Sequence, residues 1–131
     1  MTHPIEDWHE YIKRHDGSGL DAMLADDAVF ESPVVFTPQR GKALVIAYLS
    51  AAANVLGDEN FRYVGEWRGE NSAILEFENV IDGISVNGID MIWWNEDRKI
   101  VRFKVMVRPL QAVNKLHQMM GAMLEKMKAA A

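Results

Sequence analysis

The chain has 131 residues, a formal net charge of −5 and no cysteine. That length fits one domain, predicted over residues 1–131, and the missing cysteines exclude a disulfide framework, thiolate metal ligands and a cysteine nucleophile. The acidic balance argues against a nucleic-acid partner, and early charges with no long apolar run argue against a signal peptide or membrane anchor. We therefore expect a cytoplasmic globular protein with no nucleic-acid or membrane partner.

Helical periodicity dominates the first half of the chain. Ile5, Trp8, Ile12 and His15 recur at helical spacing, with Tyr11 beside Trp8. Glycine and proline mark the ends of the segments that follow. The predicted elements are a helix from Thr2-His3-Pro4 to before Gly17, a helix from Leu20 to about Ala25, a strand from Ala28 to Ser32 and a helix from Lys42 to Leu56.

The hydrophobic period changes to two after Gly57-Asp58, which is typical of strands. Short turns rich in Gly, Asn and Asp separate the apolar runs, so neighbouring strands are expected to be antiparallel. The predicted elements are strands over Phe61–Arg68, Ala73–Ile81, Ser85–Trp94 and Ile100–Arg108, followed by a helix over Leu110–Lys128. This order predicts an α+β fold in which helices cover one face of a curved antiparallel sheet.

The phase of the last two strands places one acidic residue inside. Phe103 and Val105 belong to a wholly apolar alternating set, which indicates an inward face. In the preceding strand, turning Ile92 and Trp94 inward brings Asp90 with them. An ionised carboxylate in such surroundings would lose several kcal/mol of hydration, so Asp90 must be protonated, paired or reached by water. Each of these states perturbs its pKa, which makes Asp90 the strongest candidate for a functional residue.

The opposite face of the same strands is also apolar. Ile89, Met91, Trp93 and Met106 would point outward together, forming a patch too apolar to remain in water. We expect a homodimer through this convex face, because symmetric dimers are the commonest oligomers. The alternative is that the final helix folds over part of the patch.

Other residues have both functional and structural interpretations. Asp90 itself could be a structural acid bonded to Tyr11 or His117, or an acid at a wet pocket mouth. His117 lies on the apolar stripe of the final helix, where it is a core residue unless it meets Asp90 as a proton-relay pair. Trp67 and Tyr63 alternate inward on their strand and would line a pocket or fill the core. The four histidines, His3, His9, His15 and His117, form no tight ligand constellation, so no metal is expected.

Several strings of the sequence resemble the SnoaL-like branch of the nuclear transport factor 2-like superfamily. The segment from Leu24 to Pro33 is similar to the first-strand motif of that family, and Ile89-Asp90, Trp94-Asn95 and Val107-Arg108-Pro109 are similar to its final hairpin. The resemblance covers essentially the whole chain. It implies a cone-shaped curved antiparallel sheet with helices on its concave face, enclosing a pocket. Ketosteroid isomerases, polyketide cyclases and limonene epoxide hydrolases share this fold.

The resemblance also implies roles for individual residues. Tyr11 matches the isomerase tyrosine that donates to a developing enolate, and Asp90 matches the carboxylic acid that makes the second donation, which is a known example of a carboxyl kept neutral by an apolar site. The isomerase general base is an aspartate directly before the proline, and here that position is Ser32, whose hydroxyl is no base near neutral pH. Two positions before Asp90 is Gly88, where the epoxide hydrolase pattern has arginine. Polyketide cyclases, which rely on one acid in this region, are the best chemical analogue.

Two functions are compatible with the sequence. The first is a cofactor-independent isomerase, cyclase or lyase that acts on a hydrophobic carbonyl compound, with Asp90 as general acid/base, Tyr11 as donor and His117 as assistant. Its pocket is expected to be lined by Ser32, Trp67, Trp94, Phe103 and Val105. The second is a non-catalytic dimeric module that binds an apolar ligand. An open cavity with convergent polar groups favours the enzyme, whereas a cavity filled by side chains favours a scaffold.

Overall fold

The structure, a computed structural model, describes residues 3–14 and 17–130. Thr2 and His15, which the sequence assigns to the first helix, lie outside these ranges. The helices are α1 (Pro4–Arg14), α2 (Leu20–Met23), α3 (Lys42–Leu56) and α4 (Leu110–Ala130). The strands are β1 (Leu24–Glu31), β2 (Gln39–Arg40), β3 (Arg62–Arg68), β4 (Ser72–Ile81), β5 (Ile84–Trp94) and β6 (Ile100–Arg108). The predicted α+β class is confirmed.

The strands form a curved, open sheet in the order β2-β1-β6-β5-β4-β3. From β3 to β6 the sheet is an antiparallel meander, as the short turns predict. β1 pairs with β6 in parallel, so the sheet is mixed rather than wholly antiparallel. No hairpin joins these two strands, because the chain between them passes through β2, α3 and three further strands. Turn length therefore does not determine their relative direction.

β1 begins earlier than the sequence predicts. The sequence predicts that Leu24 and Ala25 belong to the second helix, but Leu24 pairs with Ile100 of β6, and the side chains of Leu24 and Ile100 are buried. The four residues that remain in α2 form only about one helical turn, which has little stability of its own. Pairing with β6 buries Leu24 more completely than an isolated turn could, so the strand replaces the end of the helix.

A β-bulge in β3 reverses the direction in which its side chains point. Tyr63 pairs with Phe77 and Gly65 pairs with Glu76, so β3 has one extra residue between these positions. Tyr63 faces the concave side, whereas Trp67 lies beside Ile74 on the convex side and is 58% exposed. The prediction that Trp67 lines the pocket is therefore wrong, because strict alternation from Tyr63 does not survive the bulge.

α1, α3 and α4 pack on the concave face of the sheet. The ring of Trp8 in α1 lies 4.8 Å from that of Phe103 in β6, and Phe103 also contacts Phe30 of β1. In α4, Ala112 and Leu116 are buried in the same cluster. α4 therefore lies on the face opposite to Ile89, Met91 and Trp93 and leaves that convex patch uncovered. Across the described ranges, no helix is long and apolar enough to cross a membrane.

Candidate functional site

A cavity of about 410 Å³ lies between the concave face of the sheet and the three long helices. Its lining includes seven aromatic side chains, those of Trp8, Tyr11, Phe30, Phe61, Tyr63, Phe77 and Phe103. Small residues of α3, among them Ser50 and Ala53, line it as well, with the Ser32–Val34 loop opposite. A cavity of this size and lining is suited to a small, largely apolar molecule.

Asp90 lies within this cavity. It is 6% exposed and is flanked in the sheet by Leu75 of β4 and Val105 of β6, both buried. Two residues earlier on the same face, Gly88 leaves room for the ring of Phe77, since a Cβ there would lie 2.5 Å from Phe77 Cζ. The in-phase position of Asp90 with Ile92 thus brings the carboxyl to an apolar cavity wall.

A chain of two hydrogen bonds holds the carboxyl of Asp90. The hydroxyl of Tyr63 in β3 donates to Oδ2 of Asp90 at 2.5 Å. The indole Nε1 of Trp8 in α1 donates to the same hydroxyl oxygen at 2.8 Å. Asp90 is therefore held by a side chain from β3, two strands away in the sheet, and, through Tyr63, by α1, which packs above the sheet.

Hydrogen bonds and ion pairs at the surface join α1 to β3 beside the Trp8–Tyr63–Asp90 hydrogen bonds. His9 lies 2.7 Å from Glu66, and Arg68 lies 2.5 Å from both Glu66 and Glu6. The ring of His9 also meets that of Tyr63 edge-on, with centroids 5.5 Å apart. The bulge turns the side chains of Glu66 and Arg68 toward α1. Their contacts with His9 and Glu6 therefore fix the position of α1 over β3. That placement allows Trp8 to reach the Tyr63 hydroxyl.

The surroundings of Asp90 and Tyr63 determine which of these two groups titrates near neutral pH. Burial raises the pKa of Asp90 from 3.8 to about 7, and the hydrogen bond from Tyr63 opposes part of that rise. Burial and the negative charge of Asp90 raise the pKa of Tyr63 well above 10.0. A carboxyl with a pKa near 7 both gains and loses its proton at neutral pH. The acid–base capacity therefore resides in Asp90, while Tyr63 remains a hydrogen-bond donor.

The structure brings Tyr11, Ser32, Phe103 and Val105 to the same cavity as Asp90. The ring of Tyr11 is buried beside Trp8, with centroids 5.1 Å apart. The hydroxyl oxygen of Ser32 accepts hydrogen bonds from the backbone N–H groups of residues 34 and 35, at 3.1 and 3.4 Å. Its role in the local turn is consistent with the expectation that it is not a general base.

Two further predicted site residues lie away from the cavity. His117 is exposed, because the inward-facing line of α4 passes through the buried Leu116 and the partly buried Met120, and the next residue after Leu116 turns about 100° toward solvent. Trp94 is buried on the inner face of β5, but four residues from Asp90 is about 13 Å along a strand. It packs edge-on against His3 instead. The proton-relay prediction for His117 and the pocket-lining prediction for Trp94 are wrong.

The residue that the sequence did not identify as the partner of Asp90 is Tyr63. Strand alternation predicts that Tyr63 faces inward, but the partners that the sequence suggests for Asp90 are Tyr11 and His117. Trp8 was recognised only as part of a helical stripe. The bond between Trp8 and Tyr63 joins residues 55 positions apart, and no local pattern signals such a contact.

Comparison with known proteins identifies the family. A protein-family model described as a SnoaL-like domain matches residues 5–103. The chain belongs to the SnoaL-like family. No curated protein matches the chain. Within the described ranges, no three His, Cys, Asp or Glu side chains are grouped so that they could hold a metal ion.

Solved structures extend this similarity over nearly the whole chain. A steroid delta-isomerase from Pseudomonas aeruginosa is 36% identical, with a TM-score of 0.91, over 96% of this chain and 92% of that one. An uncharacterized protein with a cystatin-like fold from Silicibacter pomeroyi is 30% identical, with a TM-score of 0.83, over 91% and 83%. A SnoaL-like protein of unknown function from Burkholderia thailandensis, at 20% identity and a TM-score of 0.64 over 79% and 91%, shares the fold.

Proposed function

We propose that this protein is an isomerase or cyclase that acts on a hydrophobic carbonyl compound by acid–base chemistry. The observation that carries the proposal is the carboxyl of Asp90, which lies in an apolar cavity and has a pKa raised to about 7. Perturbed acids in apolar pockets are typical of catalytic sites. The similarity to a protein described as a steroid delta-isomerase supports the same class of reaction.

The residues of the cavity support a reaction through an enolate. Asp90 as carboxylate removes a proton from the carbon next to the substrate carbonyl, and the electrons of that C–H bond move onto the carbonyl oxygen. Tyr11 donates a hydrogen bond to this developing oxyanion, the type of contact that stabilises such intermediates. Asp90 then returns its proton to a different carbon. Alternatively, the enolate carbon attacks a second carbonyl within the substrate and closes a ring, and the alkoxide formed there takes the proton from Asp90. No atom is gained or lost in either outcome.

In this reaction Asp90 acts first as the base and then as the acid. Of the described residues that line the cavity, it alone carries a carboxyl, and Ser32 occupies the position of the isomerase base. A single carboxyl with a pKa near neutrality can accept a proton in one step and donate it in the next. The proton therefore stays on one face of the substrate throughout the reaction.

The proposal is tested by proton exchange with enolisable fused-ring ketones in D₂O, followed by NMR. The wild type is expected to speed exchange next to the carbonyl, and Asp90→Asn is expected to abolish this effect while the protein stays folded. Asp27→Asn, which changes an exposed aspartate, is the matched control and should exchange like wild type. Binding of the ketones without exchange would contradict the proposal and indicate the non-catalytic binding module.

A further inference from the structure

The hydrogen bonds from Trp8 to Tyr63 and from Tyr63 to Asp90 have only one direction available to them. An indole N–H is a donor and cannot accept, so at 2.8 Å it must donate to the Tyr63 oxygen. The tyrosine hydroxyl has one proton of its own. That proton is directed to Oδ2 of Asp90, 2.5 Å away. Reversing the second bond would leave the Tyr63 oxygen accepting from both sides and its own proton with no partner in this arrangement.

This direction makes the two oxygens of Asp90 different. Oδ2 accepts the bond from Tyr63 whether the carboxyl is ionised or neutral. Oδ1 receives no hydrogen bond from the residues that the structure describes, and Asp90 lines the cavity. A proton that neutralises Asp90 therefore belongs on Oδ1.

We propose that Trp8 and Tyr63 are positioning residues that direct hydrogen bonds onto Oδ2 of Asp90, so that Asp90 exchanges protons with its ligand through Oδ1. This inference rests on the proposed function for the ligand's chemistry. In the forward step a ligand C–H bond breaks, its electron pair moves onto the ligand carbonyl, and the proton bonds to Oδ1. The return step breaks that O–H bond, transfers the proton back to the ligand at its new position, and leaves the carboxylate with Oδ2 still bonded to Tyr63.

The charged and titratable groups around the Trp8–Tyr63–Asp90 hydrogen bonds come from two elements, α1 and β3. In α1, His9 meets the ring of Tyr63 edge-on. In β3, Glu66 pairs with His9, and its charge contributes to the raised pKa of Tyr63. Burial raises the pKa of Asp90, and among the described residues the one titratable group that affects it is Tyr63, whose hydrogen bond lowers it. Changes at Trp8 and Tyr63 can therefore be attributed to the hydrogen bonds themselves.

The test is a titration of the Asp90 carboxyl carbon by NMR, using protein labelled with ¹³C aspartate and no ligand. Asp90→Asn assigns the signal. Tyr63→Phe removes the donor to the carboxylate and is expected to raise the pKa of Asp90 by about one to two pH units. Trp8→Phe leaves Tyr63 in place but weakens it as a donor, so a smaller rise of roughly half a unit is expected. The controls are Tyr48→Phe and Trp94→Phe, which alter the same residue types outside the cavity lining.

A lowered pKa in Tyr63→Phe would show that Asp90 donates to Tyr63, and this would overturn the assignment of the proton to Oδ1. If Trp8→Phe titrates like Trp94→Phe, the positioning role of Trp8 is refuted, and this variant gives an answer even where Tyr63→Phe does not fold. In the exchange assay the pH profile should move by the same amount as the NMR titration. A complete lack of exchange in wild type would contradict the proposed function, whereas the NMR result would still decide the direction of the hydrogen bonds.

Discussion

The hydroxyl of Tyr63 lies 2.5 Å from Oδ2 of Asp90 even though β4 separates the strands that carry these two residues. Two strand spacings amount to about 9.5 Å, which a tyrosine side chain leaning along the concave face can cross. The bulge that follows Tyr63 adds local curvature at that point. The relationship explains how a buried acid can be held in place while its pKa stays near neutrality.

The first prediction concerns steroid double-bond isomerisation. We expect wild-type activity on a β,γ-unsaturated 3-ketosteroid at the background rate. A steroid that binds as the isomerase resemblance implies points its carbonyl oxygen at both Tyr11 and Asp90, so Asp90 faces the oxygen and the acidic carbon faces Ser32, whose hydroxyl cannot take a proton near neutral pH. Ser32→Asp is expected to produce measurable conversion, since Tyr11 and Asp90 remain in the cavity as donors. Ultraviolet absorbance of the conjugated product measures both rates.

Ser32→Ala is the control for that experiment. It removes a hydroxyl that accepts two backbone hydrogen bonds, so a modest loss of stability is expected without a change in isomerase rate. Substantial wild-type isomerisation that Ser32→Ala abolishes would refute the prediction and give the hydroxyl a chemical role.

The second prediction concerns assembly. Ile89, Met91 and Met106 lie on the convex face together with Trp93, and the bulge adds Trp67 to the same surface. Met106 is 48% exposed, and the guanidinium of Arg102 covers the ring of Trp93 at 4.3 Å. We expect a homodimer through this face, and Trp93→Glu should yield a folded monomer in sedimentation.

Leu44→Glu is the matched control, because Leu44 is an exposed apolar residue of α3 on the other side of the sheet. It should sediment as wild type does. A wild-type protein that remains monomeric at high concentration would contradict the prediction.

Most helices and strands follow from local patterns, since hydrophobic period and turn residues are properties of neighbours in the chain. α3 and β6 have the bounds that the sequence predicts. The errors occur where distant segments compete. The prediction for Trp67 is wrong because a bulge depends on the pairing of β3 with β4. The prediction for Leu24 is wrong because Leu24 pairs with a residue of β6, which is distant in the sequence. The orientation of Asp90 was predictable from its strand, whereas its bond to Tyr63 depends on the curvature of the whole sheet.

The third prediction uses the close packing at Gly88. A Cβ at this position would lie 2.5 Å from Phe77 Cζ and 2.6 Å from the backbone oxygen of Met106, and the latter cannot move away easily. Gly88→Ala should therefore lower the free energy of unfolding by about 1–3 kcal/mol and displace the ring of Phe77 into the cavity. Urea denaturation measures the first effect and weaker ligand binding the second.

Gly121→Ala provides the comparison within the same chain. Gly121 lies in α4 with nothing within 4 Å of an added Cβ, so alanine should stabilise the helix by about 0.5–1 kcal/mol. Equal effects at the two glycines would show that the packing around Phe77 is looser than the structure indicates.

The last prediction concerns the pH dependence of stability. Asp90 has a pKa of about 7 in the folded protein and an ordinary value of 3.8. Between these values the folded state binds more protons than the unfolded state, so the contribution of Asp90 to stability falls as pH rises from about 4 to about 7. Once Asp90 is ionised in both the folded and the unfolded state, its contribution to the free energy of unfolding is about 4 kcal/mol lower than at pH values below about 4.

Asp90→Asn is expected to remove this loss of stability at higher pH, because an amide does not ionise and its oxygen can still accept the hydrogen bond from Tyr63. Relative to wild type, the variant should gain stability as pH rises from about 4 to about 8, by as much as about 4 kcal/mol, while losing activity. The difference between the two proteins isolates Asp90, because carboxylates with lowered pKa values, such as Glu6 and Glu31, change the stability of both equally. Urea denaturation across this range measures it, with Asp27→Asn as control. A constant deficit of about 1–3 kcal/mol at every pH would contradict the prediction, since it would show that folding does not raise the pKa of Asp90 and that the amide does not replace the carboxyl as the acceptor for Tyr63.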